Sequence, residues 1–183
     1  MYKSIPFLFL MTMALFFVTS CGDDPEEEEA TELITRVTYT LTSAAGSVTL
    51  SFEDSDGDGG NAAVITGGTL AANTSYTGSI DLFDTSGDET EDIGEEVAEE
   101  DDEHQFFFSS TVAGVSVAYN DADGDGNPLG LANTVTTGAA GSGTLTVILR
   151  HEPDKNADGV SGGDISNAGG ETDIEVAFPI EVQ

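Results

Sequence analysis

Toward the C-terminus of this chain, Ile174, Val176, Phe178, Ile180 and Val182 take every second position, with Glu175 and Glu181 between them. A period of two matches a β-strand, whose successive side chains point to opposite faces. The alternation recurs along the chain. Val37, Tyr39 and Leu41 interleave with Thr38, Thr40 and Thr42, and Val48, Leu50 and Phe52 follow. Next come Tyr76, Ile80 and Leu82, then Phe106 and Phe108, then Val115, Val117 and Tyr119. Leu145, Val147 and Leu149 form a further set, and Ile148 on their opposite face predicts a central strand. Gly, Asn, Asp and Ser fill the gaps and supply turn conformations. So many short strands in one domain predict an all-β fold, an antiparallel β-sandwich spanning residues 33–183.

The segment Leu70-Ala71-Ala72-Asn73-Thr74-Ser75-Tyr76 resembles the tyrosine corner of fibronectin-III-like sandwiches, which points to an immunoglobulin or fibronectin-III arrangement. A gapless repeat aligns Val48–Gly59 with Val115–Gly126, each copy a strand running into an acidic loop, as a duplicated half-sandwich would. One segment departs from period two. Residues 88–103 are mostly acidic, with Ile93 and Val97 four apart and Ser86 and Glu89 spaced as a capping box. A short helix or a loop is expected there, because like charges four apart oppose the helix.

Charge narrows the partners. Lys and Arg number 4 against 35 Asp and Glu, for a formal net charge of −31. Nothing basic can replace phosphate counterions, so nucleic acid is excluded as a partner. Apolar residues still make up 38% of the chain, enough for a packed domain rather than a disordered acidic polymer.

At the N-terminus, Lys3 precedes an apolar run from Ile5 to Val18, then Thr19, Ser20 and the single cysteine, Cys21. The run is shorter than the ~20 residues of a spanning helix. It resembles a bacterial lipoprotein signal over residues 1–20, cut before Cys21, whose thiol then carries lipid. Gly22 to Thr31 continues as an acidic tether, so residues 21–32 link anchor and domain. Acidic residues directly after the lipidated cysteine also resemble the surface-export signal of Bacteroidota-type lipoproteins. The resemblance implies outer-membrane attachment through lipid, at the cell surface or on the periplasmic face.

Three loops place oxygen ligands at alternate positions, with glycine after the third. They are Asp54, Asp56 and Asp58; Asp121, Asp123 and Asp125; and Asp154, Asn156 and Asp158, with Asp164 able to close the last. Calcium takes six to eight oxygens, and this spacing turns three side chains inward. Calcium is therefore the expected cofactor. The twelfth positions are Ile65, Ala132 and Ile165, so none of the loops is an EF-hand. The same residues are also ordinary turn formers.

The two histidines, His104 and His151, each sit beside glutamates at a strand end. If their strands pair, they and a glutamate could hold zinc or copper, or His104 could approach a haem beside the phenylalanines. Gly159-Val160-Ser161-Gly162-Gly163 spells a nucleophile elbow, but no strand precedes it and no histidine follows it. No catalytic residues emerge, and a non-enzyme is expected.

Several phrases together resemble one family: Ser51–Asp58, Thr66–Leu70, Glu103–Phe108, Leu149–Pro153 and Gly170–Val176. They are similar to small Bacteroidota lipoproteins often labelled "type 1 periplasmic binding fold superfamily protein". No catalytic or ligand residues come with that resemblance. The expected role is a surface-exposed, non-catalytic binding module that serves an outer-membrane transporter or another surface partner. The alternatives are a calcium-stiffened structural or adhesive protein, and metal or haem capture through His104 and His151. Mass spectrometry of the mature protein should find Cys21 at its N-terminus with lipid on the sulfur. An unmodified thiol there would rule the anchor out.

Overall fold

The computed structural model describes residues 32–57 and 60–183; the signal, Cys21 and the tether up to residue 31 lie outside the described residues, as does Asp58. Ten strands form two packed sheets. The first sheet runs β3 (Val64–Thr66), β2 (Gly46–Glu53), β1 (Arg36–Ser43), β5 (Ser75–Phe83), β8 (Ala132–Thr136), β7 (Ser116–Tyr119). The second runs β4 (Gly68–Leu70), β10 (Glu171–Val182), β9 (Gly141–His151), β6 (His104–Ser110). All ladders are antiparallel except the short pairing of β4 with β10.

Burial follows the alternation read in the sequence. Val37, Tyr39 and Leu41 point inward from β1, as do Tyr76, Ile80 and Leu82 from β5. Phe106, Leu145, Leu149, Val176 and Phe178 meet them from the second sheet. The outer face of β9 is covered too: Ile148 packs with Phe107, Val160 and Ala168 beneath the long β9–β10 connection. That is why a central strand carries apolar residues on both faces. Three strands escaped the periodicity, β3, β4 and β8, because the first two are three residues long and the third mixes Asn and Thr with its apolar positions. Gly67 is the one residue between β3 in the first sheet and β4 in the second, where the chain crosses from sheet to sheet. A Cβ at Gly67 would lie 1.9 Å from the Pro179 carbonyl oxygen, so the crossing requires glycine.

The expected corner is present, with the Ala71 backbone N–H donating to the Tyr76 hydroxyl at 2.7 Å. The acidic segment folds as the helix α1 (Ile93–Glu99), burying Ile93 and Val97. Its cap is Asp92, which accepts from the Glu95 N–H; the Ser86 backbone N–H instead donates to Asp84.

Register brings the loops together. β2, β1, β5, β8 and β7 alternate in direction, so β2 and β7 run the same way. These strands carry the two copies of the repeat, and both acidic loops therefore leave at one end of the sandwich. In the second sheet β9 finishes and β6 begins at that same end, where the Glu152 N–H donates to the Glu103 carbonyl.

Within the core, the Tyr39 hydroxyl donates to Asn133 Oδ1 at 2.6 Å, joining β1 to β8 across β5. Burial raises the Tyr39 phenol well above its usual range, so it stays protonated as a donor. Tyr39→Phe should leave that buried amide oxygen unpaired and cost about 1–2 kcal/mol in urea unfolding. A loss below a few tenths would show that the bond is replaced.

Candidate metal centre

The side chains facing the core from β6 are His104, Phe106 and Phe108, and those from β9 are Leu145, Val147, Leu149 and His151. Antiparallel pairing sets Phe106 opposite Leu149 and His104 directly opposite His151. Both imidazoles therefore lie on the core face, at the last rung before the loops. Their rings stack with centroids 4.8 Å apart and planes 18° off parallel. His104 is fully buried and His151 is 6% exposed.

Two carboxylates complete the cluster from other elements. Glu32, in the lead-in to β1, reaches across from the first sheet and brings Oε1 to 3.0 Å from His104 Nε2. Asp173 of β10 brings Oδ2 to 3.9 Å from the same nitrogen, with its side chain fully buried. Donor atoms of Glu32, His104 and His151 all lie within 4.8 Å of one another.

Asp173 is aimed by a bulge. The β10–β9 register passes from Thr172 opposite Arg150 to Ile174 opposite Leu149, leaving Asp173 as the extra residue. Strict alternation would have turned it outward with Glu171 and Glu175. A bulge re-aims one side chain while the strand continues. The loop leading into β10 is clamped by Arg150, whose guanidinium donates to the carbonyls of Gly169 and Gly170. Gly170, at φ +63°, passes so close that a Cβ would lie 2.1 Å from the His151 carbonyl oxygen.

Among the described residues, no Lys or Arg side chain forms an ion pair with Glu32 or Asp173. The Glu100 carbonyl lies 3.2 Å from His104 Nδ1, and a carbonyl only accepts, so Nδ1 carries hydrogen. In neutral His104 the Nε2 lone pair then faces the Glu32 carboxylate, and the two repel unless a proton or metal ion lies between them. His104 Nε2, His151 Nε2, Glu32 Oε2 and both Asp173 oxygens are buried without hydrogen-bond partners. Such groups cost several kcal/mol unless something neutralises them. Burial, followed by the Glu32 charge, raises the Asp173 carboxyl to about 6, against the pull of His104, His151 and Arg150. One divalent cation would balance both carboxylates and leave both imidazoles neutral. The carbonyl on Nδ1 fixes the tautomer that such a ligand needs.

The aspartate loops are arranged differently. Asp56 Oδ2 accepts from the backbone and side chain of Asn61, and Asp121 accepts from the Gly130 and Ala132 N–H groups. Asp123 Oδ1 accepts from the Asp125 and Asn127 N–H groups, while Oδ2 takes the buried Lys155 ammonium at 3.1 Å. That ammonium also donates to the Asp101 carbonyl, tying three segments together. Asp125 and Asn156 are exposed, and Asp154 accepts from the Asn156 N–H. Asp158 offers its backbone carbonyl to Asn167, and Asp164 caps a 3-10 turn through the Ser166 N–H. Asp54 has Oδ1 buried without a partner. Among the described residues, the groups of three or more titratable donors within 4.8 Å of one another contain His151 and its neighbours and no loop aspartate.

Sequence reasoning singled out His104 and His151 but missed Glu32 and Asp173. Glu32 closes an acidic run in which no carboxylate stands out, and only the bulge reveals Asp173.

A scan against protein-family models and a search of curated proteins return no match. Comparison with solved structures returns the crystal structure of the S-layer protein SbsC domains 4 and 5, at 16% identity and a TM-score of 0.33. That alignment covers 79% of this chain and 64% of the other. A score this low leaves the fold resting on the register and burial described above.

With no metal added, stability should fall as pH rises from 3.8 to about 6, because the folded-state value of Asp173 lies above its unfolded value. The penalty is absent below that window and complete above it. Asp173→Asn should flatten this part of the melting profile and raise the melting temperature at pH 7. A profile matching the wild type would show that Asp173 is already compensated.

Proposed function

We propose that this chain is a lipid-anchored, non-catalytic β-sandwich module that binds one divalent transition-metal ion at the loop end of its core. Glu32, His104 and His151 are the ligands, and Asp173 adds a second carboxylate charge beside them. The observation carrying this reading is the direct register of His104 with His151, facing Glu32 Oε2 and both Asp173 oxygens, which are buried without hydrogen-bond partners. Two nitrogens with carboxylate oxygens suit zinc, whereas calcium takes oxygens alone. Lipid on Cys21 would keep this anionic module at the outer membrane, facing the surface, where it could capture the ion.

Metal-free protein should take up one equivalent of Zn(II), and Co(II) should give the visible d–d bands of a tetrahedral site. At a hundred times the dissociation constant, zinc should add about 2.7 kcal/mol, which at this size raises the melting temperature by roughly 5–10 °C. His104→Ala and Glu32→Gln should abolish the shift, and calcium should not reproduce it. Unchanged melting curves with zinc, together with colourless cobalt titrations, would sink the reading.

A further inference from the structure

The histidines are almost sealed from solvent, so an ion must reach them by another route. A cleft of about 330 Å³ opens between the β1 lead-in and the start of β10, lined by Glu32, Ile34, Phe52, Asp54, Asp173 and Glu175 among others. Glu32 and Asp173 therefore stand between this cleft and His104, near both. Asp54 is fixed at the wall by its backbone N–H, which donates to the Thr35 carbonyl at 2.8 Å. Its Oδ1 is buried and, among the described residues, has no hydrogen-bond partner. The Asp173 side chain, fully buried and equally without partners, marks the inner end.

We propose that this cleft is the entrance of the metal site, and that Asp54 is the capture carboxylate that receives a hydrated divalent cation before it passes to Glu32, Asp173 and the histidine pair. The proposal rests on the metal-binding reading above. Size and charge support it. Six waters at about 30 Å³ each occupy roughly 180 Å³, so the cleft admits a cation with its first hydration shell. Carboxylates in a low-dielectric recess focus the field and raise the local cation concentration, which quickens association. Asp54 differs in this from Asp56, Asp121 and Asp123, whose oxygens are already taken by N–H groups. Asp54 lines the cleft but lies outside the donor group of Glu32, His104 and His151, which makes it a positioning residue for entry and not a ligand of the final complex.

Stopped-flow mixing of the full mature chain with Co(II) follows association through the d–d bands. Asp54→Asn should slow association about fivefold while leaving the bound spectrum unchanged. Asp125→Asn, an exposed carboxylate at the same end but outside the cleft, should change the rate by less than about 1.5-fold. Equal rates for the two variants would overturn the entrance role. An altered bound spectrum in Asp54→Asn would overturn it too, by making Asp54 a ligand. If the wild type takes up no cobalt at all, the metal reading falls and this proposal falls with it; uptake with unaltered kinetics removes this proposal alone.

Discussion

The pairing of β9 with β6 on one side and β10 on the other governs both the core and the candidate site. β9 is the longer-paired strand of the second sheet, matched with β10 over nearly its whole length and with β6 from His104 to Ser110. Its inward row of Leu145, Val147 and Leu149 lies under the aromatic and aliphatic row of the first sheet, removing apolar surface from water. Because side chains alternate strictly, that burial also determines where His151 goes. A slip of one residue would expose the whole row and turn His151 outward. The hydrophobic effect thus holds two polar rings on the core face, where they would not otherwise be stable.

Polar groups placed there need compensation, and they receive it only in part. Tyr39 and Asn133 show complete satisfaction, each supplying what the other lacks. Lys155 and Asp123 show it for charges, with Asp123 Oδ1 also accepting two N–H groups. At the end of the β6–β9 pair the compensation stops, leaving both Asp173 oxygens, Glu32 Oε2 and two imidazole nitrogens without hydrogen-bond partners. Deficits of this kind, concentrated in one place, call for a neutralising partner. The bulge at Asp173 and the Arg150 clamp both act to keep a carboxylate where it raises that deficit.

Much of the fold was legible in the chain, because half-buried strands write a period of two and turns write Gly, Asp and Asn. Seven strands follow directly from apolar alternation, and the Tyr76 corner and the helix around Ile93 and Val97 also appear where residue spacing places them. The three missed strands are short or mixed in polarity, and pairing with neighbours defines them more than their own residues do. The Asp-rich loops suggested ions through their spacing. Most of the described aspartates there accept backbone N–H groups, which is how short turns satisfy themselves.

The sequence by itself determined that this chain is an acidic all-β protein, that its apolar rows face inward, and that its two histidines stand at strand ends. Those properties are local, written by residue type and period. Only the tertiary structure decided that the histidines face each other, that Glu32 crosses from the opposite sheet, and that Asp173 turns inward. Each depends on a register or a bulge, which arises between strands distant in sequence and leaves no periodic trace in either one.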